Sequence, residues 1–277
     1  MLKIVVCVKQ VPMVSELPWN RKTGTLKREL AQGMMDPASA RALEAALQLK
    51  EEFGARIFVI SMGPPMAEEV LHQAVALGAD EGVLLTDRRM AGADTFLTSH
   101  VLGMYIKKHI IDVDLVICGS QTSDSETAQV GPQLAEELEI PAVCWSAKIL
   151  PGQEFVRVER HVDDFFEVLE MDLPGLVTID IDAYKPRYLP LSGVQTAFEK
   201  PKITIVDAEK IGLDASFNAL KDSPTRILDV YSPTTQKENR VLKGAVKKSV
   251  DQLFEEYGKV ISGAMGKDLK THEHGEN

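Results

Sequence analysis

The amino-acid sequence of 277 residues predicts an α/β fold, in which a mostly parallel β-sheet carries helices on both faces. Two observations indicate this class. Short apolar runs rich in β-branched residues alternate with longer segments of helical period, as in repeated strand–helix–strand units. These runs are apolar at nearly every position, whereas a strand with one face in water would alternate between apolar and polar residues. A small antiparallel extension and an extended C-terminal arm with a helix complete the prediction.

The first half of the chain supplies the parallel strands and their crossover helices. Strands are predicted at Leu2–Val8, Arg56–Met62, Gly82–Thr86 and Val113–Gly119, and helices at Ala38–Phe53, Ala67–Leu77 and Ala93–His109. The first helix has a clear start signal, because Asp36 can cap it and Pro37 suits its first position.

The segment that follows Val8 is longer than an ordinary connection between a strand and a helix. It runs from Lys9 to Met35, and Thr23–Leu26 within it has the composition of a hairpin tip. Loops of this length inside a compact domain usually serve function or face a partner. After Pro141 the sequence predicts three strands joined by short turns as the antiparallel extension: Glu154–Arg160, Asp164–Met171 and Leu176–Asp182.

Core-like runs become sparse after residue 190, which predicts a boundary there between an α/β domain (1–190) and an extended arm (191–277). The arm carries an amphipathic helix from about Lys237, because apolar residues recur at spacings of three and four. These residues are Leu242, Val246, Val250, Leu253 and Tyr257. The stripe can cover the chain's own domain or dock on another subunit, and the spacing leaves both interpretations open.

Composition excludes several classes of protein. The chain has 31 Lys and Arg residues against 41 Asp and Glu, a net charge of −10, and no basic cluster of the kind that binds nucleic acid. No apolar run approaches the roughly 20 residues that a membrane-spanning helix needs. The three cysteines, Cys7, Cys118 and Cys144, form no pairing motif, which favours a reducing compartment and a cytoplasmic location.

Common phosphate and catalytic motifs are missing, but one loop has the features of a ligand site. The sequence contains neither G-x-G-x-x-G after the first strand nor a P-loop, and it has no recognisable metal or catalytic constellation. The segment from Cys118 to Leu138 begins at the end of an apolar strand and continues through a polar loop into a helix, expected near Glu126 or Thr127. A helix N-terminus in this position can hold phosphate without Lys or Arg. The alternative is a capped helix after an ordinary turn.

Six strings, in order along nearly the whole chain, resemble the β subunits of electron transfer flavoproteins. That family includes nitrogen-fixation electron carriers and flavin-based bifurcating complexes. The strings are Val6–Pro12, Met35–Glu51, Leu77–Asp87, Gly92–Thr95, Asp114–Glu136 and Leu173–Gly193.

The resemblance implies a Rossmann-like domain that binds an adenine nucleotide. The matching positions for the cofactor are Cys7, Lys9, Asp36, Ser39, Met62, Gly63, Gly119, Asp124, Thr127, Ala128, Gln129, Val130 and Gly131. Thr127, Gln129, Val130 and Gly131 would surround the pyrophosphate. The positions that match a partner-gripping loop are Arg187, Tyr188 and Leu191, with Leu191 as the anchor; an ordinary turn leucine is the alternative. The resemblance also favours the docking interpretation of the C-terminal helix.

The nucleotide in such a β subunit is FAD in bifurcating members and AMP in simple electron carriers. The VKQVP opening and the D-x-x-T-A-Q-V-G-P loop are similar to bifurcating members, so we favour FAD, with AMP as the alternative. The expected partners are an α subunit with a further FAD, an acyl-CoA or 2-hydroxy-acid dehydrogenase and, for bifurcation, ferredoxin, with NADH as electron donor. Such a subunit is not catalytic alone. A nucleotide hydrolase or sensor on the same fold is disfavoured, because no pyrophosphatase loop follows the first strand.

The sequence departs from the family pattern at two positions. Asp36 stands where the family usually has Asn, and a carboxylate is less suited to lie beside phosphate, so a role as helix cap is the favoured interpretation. His161 follows the Glu159–Arg160 pair where an acidic residue is common. The contribution of that acidic residue near a flavin does not carry over to this chain.

Overall fold

A computed structural model describes residues 1–13, 19–20, 25–26, 33–199, 202–226, 228 and 241–272; the side chains of 19–20, 25–26 and 265–272 are not described. The chain divides into two units, Met1–Leu228 and Asp229–Asn277. The first contains the sheet and the packed helices, and the described part of the second contains one long helix.

Nine of the described strands form one sheet, and the order of these strands defines the fold. From one edge to the other they are β11 (Phe165–Asp172), β10 (Phe155–Val162), β9 (Ala142–Pro151), β12 (Gly175–Ile179), β8 (Leu115–Gly119), β1 (Leu2–Cys7), β6 (Ala55–Met62), β7 (Glu81–Leu85) and β13 (Ile203–Val206). All neighbouring pairs from β9 to β13 in this order are parallel, which confirms the predicted α/β class.

Two short antiparallel pairs lie outside this sheet, in the long segment after β1. They join β2 (Gln10–Pro12) to β5 (Gly33–Met35), and β3 (Trp19–Asn20) to β4 (Thr25–Leu26). The β3–β4 pair agrees with a hairpin here, although Thr23 and Gly24 of the predicted tip lie outside the described residues.

Helices cover both faces of the sheet, as predicted. They are α1 (Pro37–Phe53), α2 (Glu68–Leu77), α3 (Thr95–His109), α4 (Val130–Leu138), α5 (Leu191–Glu199), α6 (Ala208–Ile211) and α7 (Ala219–Asp222). Alternate residues of each strand point to opposite faces. Ile4 and Val6 of β1 therefore belong to the core under α1 and α2, and Val5 belongs to the core under α3 and α4. Burial on both sides explains why the strand sequences lack a polar face.

The antiparallel extension consists of β10 and β11. One of the three strands predicted to belong to it lies elsewhere in the sheet. Residues 176–182 were expected in that extension, but β12 pairs in parallel with both β8 and β9. Every residue of β12 is buried, so it is a central strand, as its unbroken apolar run would have indicated. The strand β9 was not predicted, although its β-branched and aromatic residues are typical of a strand.

The boundary predicted at residue 190 does not match the compact unit, which continues to Leu228. Residues after Leu191 form α5 and then β13, which extends the parallel sheet beyond β7. A strand of four residues at an edge is too short to give a clear periodic signal in the sequence. In the second unit, the helix α8 covers Val246–His272 and begins later than the predicted Lys237, a residue outside the described segments. Among the described residues, no helix combines the length and apolarity needed to cross a membrane.

The strand order creates a topological switch point between β1 and β8. From β1 the chain moves outward to β6 and β7, and then returns to β8 on the other side of β1. In open parallel sheets, the connections at the carboxyl ends of two such strands diverge to opposite faces, which opens a crevice where ligands bind. The residues that follow β1 and β8 are therefore the first place to look for a functional site.

Candidate functional site

Asp36 is a hydrogen-bonding centre at the carboxyl edge of the sheet. Its Oδ2 accepts from the backbone N–H groups of Ala38 (3.0 Å) and Ser39 (3.2 Å), which caps α1. Its Oδ1 accepts from the backbone N–H of Ser123 (2.8 Å), in the loop that follows β8. Asp36 is 1% exposed, so these three donors compensate a buried carboxylate. The arrangement supports the capping interpretation and adds a second role, which is to tie the β8 loop to α1.

Lys9 connects the same two segments on the side of β1. Its backbone N–H donates to Ser39 Oγ (3.1 Å), and its Nζ contacts both carboxylate oxygens of Asp124 at 2.7 and 2.8 Å. Burial raises the pKa of Asp124, but the hydrogen bonds from Lys9 and Thr122 outweigh it, and the pKa lies below its ordinary value. The Asp124 carboxyl is therefore ionised at neutral pH. Six of the positions that the resemblance implied for the cofactor thus lie together at this edge: Cys7, Lys9, Asp36, Ser39, Gly119 and Asp124.

Gly119 allows α1 to approach the end of β8. A Cβ at this position would lie 2.8 Å from the backbone carbon and the Cβ of Ala38, in the first turn of α1. A side chain here would push the helix and the strand apart, so the close approach requires glycine. Because Gly119 faces α1, the next residue, Ser120, faces the other side of the sheet.

Ser120 is buried, and its hydroxyl has no hydrogen-bond partner among the described residues. The residue is 4% exposed, and its backbone N–H continues the strand ladder by donating to the Ile179 carbonyl (2.9 Å). On this face of the sheet lies the first turn of α4, where a Cβ on Gly131 would lie 2.5 Å from Thr178 Cγ2. A buried hydroxyl without a partner is costly, so this Oγ is a candidate to contact a ligand at the start of α4.

The helix α4 begins at Val130, later than the predicted Glu126 or Thr127. The loop before it contains two non-glycine residues with positive φ, Glu126 (50°) and Ala128 (55°), and these dihedrals are incompatible with an earlier start. Such a conformation costs of the order of 1–3 kcal/mol per residue and is often found in ligand-binding loops. Thr127, Ala128 and Gln129 therefore form a strained approach to the helix rather than its first turn.

Among the described residues, the N-terminus of α4 has no side-chain cap, which leaves its first backbone N–H groups as available donors. Gln129 occupies the cap position without a side-chain cap, since its Oε1 instead accepts from Thr95 Oγ1 (2.8 Å) on α3. The N–H groups of Val130 and Gly131 lie in the first helical turn, where no intrahelical acceptor exists. Together with Ser120 Oγ, they form a set of donors that suits an anion such as phosphate, so the described residues fit the phosphate of a nucleotide.

Cys7, Met62 and Gly63 line the same edge from β1 and β6. Cys7 lies opposite Cys118 in the parallel register, on the same side of the sheet. A hydrogen bond with Cys7 and complete burial raise the pKa of the Cys118 thiol. Met62 ends β6, and the Gly63 N–H donates to the Leu85 carbonyl (3.1 Å), which fixes the turn beyond it.

Sequence reasoning placed Ser120 in the polar loop after a buried strand, where hydroxyl groups can donate to a ligand. It missed two contributors to this site, namely the Ser123 backbone and Thr95. The Ser123–Asp36 bond and the Thr95–Gln129 bond join positions far apart in the chain, and no local pattern reports them.

The residues predicted to contact a partner form a separate group beside α1. Tyr188 and Leu191 are 93% and 86% exposed. The Arg187 side chain instead turns inward to Glu44 and Glu51. The structure therefore divides the predicted group into two exposed side chains and one that is held within the chain.

Comparison with known proteins identifies the family. A family model described as "Electron transfer flavoprotein domain" matches residues 23–210. A relative named "Electron transfer flavoprotein subunit beta", from Thermoanaerobacterium thermosaccharolyticum, is 39% identical over 255 residues, or 92% of this chain and 97% of that protein. The chain belongs to the electron transfer flavoprotein β-subunit family.

Other relatives of this β-subunit family extend the comparison. "Caffeyl-CoA reductase-Etf complex subunit CarD" of Acetobacterium woodii is 41% identical over 250 residues, which cover 90% of this chain and 95% of that protein. "Protein FixA" of Azotobacter vinelandii is 35% identical over 235 residues, or 83% of each chain. The family assignment confirms the resemblance drawn from the six strings.

The two departures from the pattern of electron transfer flavoprotein β subunits have different surroundings. Asp36 is enclosed by backbone donors, so the structure accounts for a carboxylate at this position. His161 is exposed on β10, where its ring meets the edge of Phe166 with centroids 5.1 Å apart. His161 therefore contacts an aromatic ring, and it does not supply the carboxylate that is common at this position in the family.

Proposed function

We propose that the chain is the β subunit of a heterodimeric electron transfer flavoprotein and holds a nucleotide at the carboxyl ends of β1 and β8. The observation that carries this proposal is the buried Ser120 hydroxyl, which has no partner among the described residues and lies on the sheet face that the uncapped start of α4 covers. The switch point of the sheet supports the same position.

Phosphate groups would bind the N–H groups of Val130 and Gly131 and the Ser120 hydroxyl, with Thr127, Ala128 and Gln129 alongside. The helix dipole compensates part of the negative charge there. The Lys9–Asp124 pair adds no net charge, and it orients the β8 loop rather than neutralising phosphate. Met62, Gly63 and Cys7 would line the side of the crevice nearest β6.

We favour FAD as the bound nucleotide, with AMP as the alternative. The VKQVP opening and the Asp124–Pro132 loop are similar to those of bifurcating members. A flavin supplies the electron exchange, and the protein controls its position and electrostatic surroundings. In this proposal NADH donates the electrons, which the heterodimer passes to a ferredoxin-type acceptor and to an acyl-CoA or 2-hydroxy-acid dehydrogenase. The name of the Acetobacterium woodii relative, a subunit of a reductase–Etf complex, supports a partner of this class.

Two surfaces would serve the partners of this subunit. The unit that contains α8 would dock on the α subunit, which carries a further FAD, because its apolar stripe is exposed at Val246, Phe254 and Val260. The segment from Tyr188 to Leu191 would contact the dehydrogenase, with Leu191 as the anchor. We also propose a cytoplasmic location, consistent with free thiols at all three cysteines.

The test is to count nucleotides in the heterodimer. The chain is co-expressed with its α subunit, the nucleotides are released by denaturation, and FAD and AMP are separated and quantified. We expect two FAD per heterodimer and no AMP, because one flavin would lie in each subunit. One FAD with one AMP would replace bifurcation by simple electron carriage around a structural AMP. Absence of flavin would contradict the proposed function.

A further inference from the structure

The segment that follows Arg187 exposes apolar side chains in a fixed position. Tyr188 is 93% exposed, Leu189 44% and Leu191 86%. In the sequence, Pro186 precedes them and Pro190 lies between the two leucines. Exposed apolar residues on a short segment lose binding energy if the segment must be ordered when a partner arrives. A contact within the chain that holds this segment before binding would reduce that cost.

Arg187 makes an unusually complete set of bonds to one face of α1. Its Nε and Nη2 donate to the two carboxylate oxygens of Glu44 at 2.8 and 3.0 Å. Its Nη1 and Nη2 donate to the two oxygens of Glu51 at 2.5 and 3.2 Å. The backbone N–H of Arg187 also donates to Glu44 Oε2 (3.2 Å). One guanidinium thus bridges two carboxylates in the forked geometry that lysine cannot reproduce.

Glu44 makes this contact more than a surface ion pair. Glu44 is 5% exposed and lies on the buried side of α1, whereas the Glu51 side chain is 61% exposed. Burial raises the pKa of Glu44, but hydrogen bonds from Arg187 and Gln48 outweigh it, and the pKa lies below its ordinary value. A buried carboxylate that loses its partner is strongly unfavourable, so Glu44 holds Arg187 firmly.

The other end of the segment is held by α5. The Phe198 ring stacks on His72 of α2, with centroids 4.8 Å apart. Gly193 lies so close to the Ala76 carbonyl that a Cβ there would collide with it. The segment from Tyr188 to Leu191 is therefore held at one end by the contacts of Arg187 with α1 and at the other by the contacts of α5 with α2.

We infer that Arg187 is a positioning residue, whose bonds to Glu44 and Glu51 hold Tyr188, Leu189 and Leu191 ready for a partner. This rests on the proposed function, in which that segment contacts the dehydrogenase. The predicted direct contact of Arg187 with the partner is thereby replaced by an indirect role.

The same bonds relate the segment to the nucleotide site. Asp36 caps the helix α1 and Ser39 lies in its first turn, and both residues belong to that site. Glu44 lies about 8 Å further along the helix axis than Ser39, at 1.5 Å per residue. One helix therefore carries residues of both sites, so the Arg187 bonds fix the position of the segment relative to the nucleotide.

The test uses the complete heterodimer with Arg187→Lys, which keeps the charge and removes the fork. We follow chymotrypsin cleavage at the Tyr188–Leu189 bond by mass spectrometry, and electron transfer with the acyl-CoA dehydrogenase as a function of dehydrogenase concentration. We expect cleavage to become about 10-fold faster and the KM for the dehydrogenase to rise about 10-fold, since 1.4 kcal/mol corresponds to a factor of ten. The kcat should stay within about twofold, because saturating dehydrogenase compensates for weaker docking. Reduction of a soluble dye should also stay within about twofold, because it does not require docking by this segment.

Arg157→Lys is the matched control. Arg157 also pairs with a carboxylate, Glu170, at 2.5 Å, on the β10–β11 hairpin, and we expect neither cleavage nor KM to change there. Unchanged cleavage in Arg187→Lys would overturn the inference, and so would faster cleavage with an unchanged KM. Leu191→Ala tests the proposed function separately: if it leaves the KM unaltered, the segment is not the docking site, while the cleavage assay still decides whether Arg187 holds it.

Discussion

At the scale of single residues, Asp36 shows what the sequence can and cannot establish about a site. Its position before Pro37 predicted a helix cap, and the bonds to Ala38 and Ser39 confirm that prediction. The third bond, from Ser123, joins residues 87 positions apart. A local pattern predicts the first two bonds because they form within one turn, whereas the third depends on how β1 and β8 pair.

Ser120 carries the residue-scale prediction. Ser120→Ala removes a buried hydroxyl that has no partner among the described residues, so the free energy of unfolding without nucleotide should stay within about 0.5 kcal/mol or rise. Nucleotide affinity should fall by about 10-fold, because the ligand loses one hydrogen bond. The two effects are measured by thermal unfolding of the nucleotide-free heterodimer and by titration with AMP and FAD.

Ser223→Ala serves as the control for this variant. Ser223 is equally buried, but its Oγ donates to the Ala219 carbonyl (2.6 Å) and accepts from the Asp94 N–H (3.1 Å). Its loss should lower stability by about 1 kcal/mol and leave nucleotide affinity unchanged. An equal loss of stability in both variants, with no change in affinity, would remove Ser120 from the site.

At the scale of elements, the packing of α4 on the sheet determines where its N-terminus lies. The sequence correctly indicated a helix after the polar loop, but it placed the start three or four residues early. The reason is the positive φ of Glu126 and Ala128, since neither residue type signals a left-handed conformation. The assignment of residues 176–182 to the antiparallel extension was wrong for a different reason. A short turn between two strands does not show which strand each of them will pair with.

Gly131→Ala tests the packing of α4. The new Cβ would lie 2.5 Å from Thr178 Cγ2 on β12, which is too close for either group to remain in place. We expect a loss of about 1–3 kcal/mol in the free energy of unfolding. Nucleotide occupancy should also fall, because α4 moves away from Ser120. Thermal unfolding and the nucleotide count measure these two effects.

A double variant identifies the cause of any change. Gly131→Ala with Thr178→Ser removes the opposing methyl group and keeps the hydroxyl that accepts from the Trp145 N–H (3.0 Å), so most of the stability and occupancy should return. The matched substitution Gly263→Ala on α8 meets nothing within 4 Å and should not destabilise the chain. Failure of the double variant to recover would mean that the clash does not explain the effect.

At the scale of the whole molecule, the fold class could be predicted from the sequence, but the extent of the compact unit along the chain could not. Because the strands are buried on both faces, their sequences are apolar at nearly every position. This pattern predicted the parallel sheet. The edge strand β13, which lies beyond the boundary predicted at residue 190, is only four residues long, Ile203–Val206. It therefore carries little periodic information. The position of Arg187 beside Glu44 depends on the return of the chain to α1. The two residues are 143 positions apart, and no spacing rule anticipates their contact.

The second unit carries the last prediction, because its helix has no buried core of its own among the described side chains. α8 is 27 residues long and exposes Val246, Phe254 and Val260, whereas the unit from Met1 to Leu228 has complete cores on both faces of its sheet. An amphipathic helix gains most of its stability by packing its apolar stripe against another surface. We expect a chain that ends at Leu228 to unfold within a few degrees of the full chain, but to lose the co-purifying α subunit.

Leu253→Glu in the full chain should reproduce the loss of the α subunit by placing a charge on the apolar stripe, whereas Glu255→Gln, an exposed position two residues away, should not. Thermal unfolding and co-purification of the α subunit distinguish the two interpretations that the sequence left open, namely that α8 packs on its own chain or docks on another subunit. A large drop in unfolding temperature on truncation, with the α subunit still bound, would mean that α8 covers its own chain.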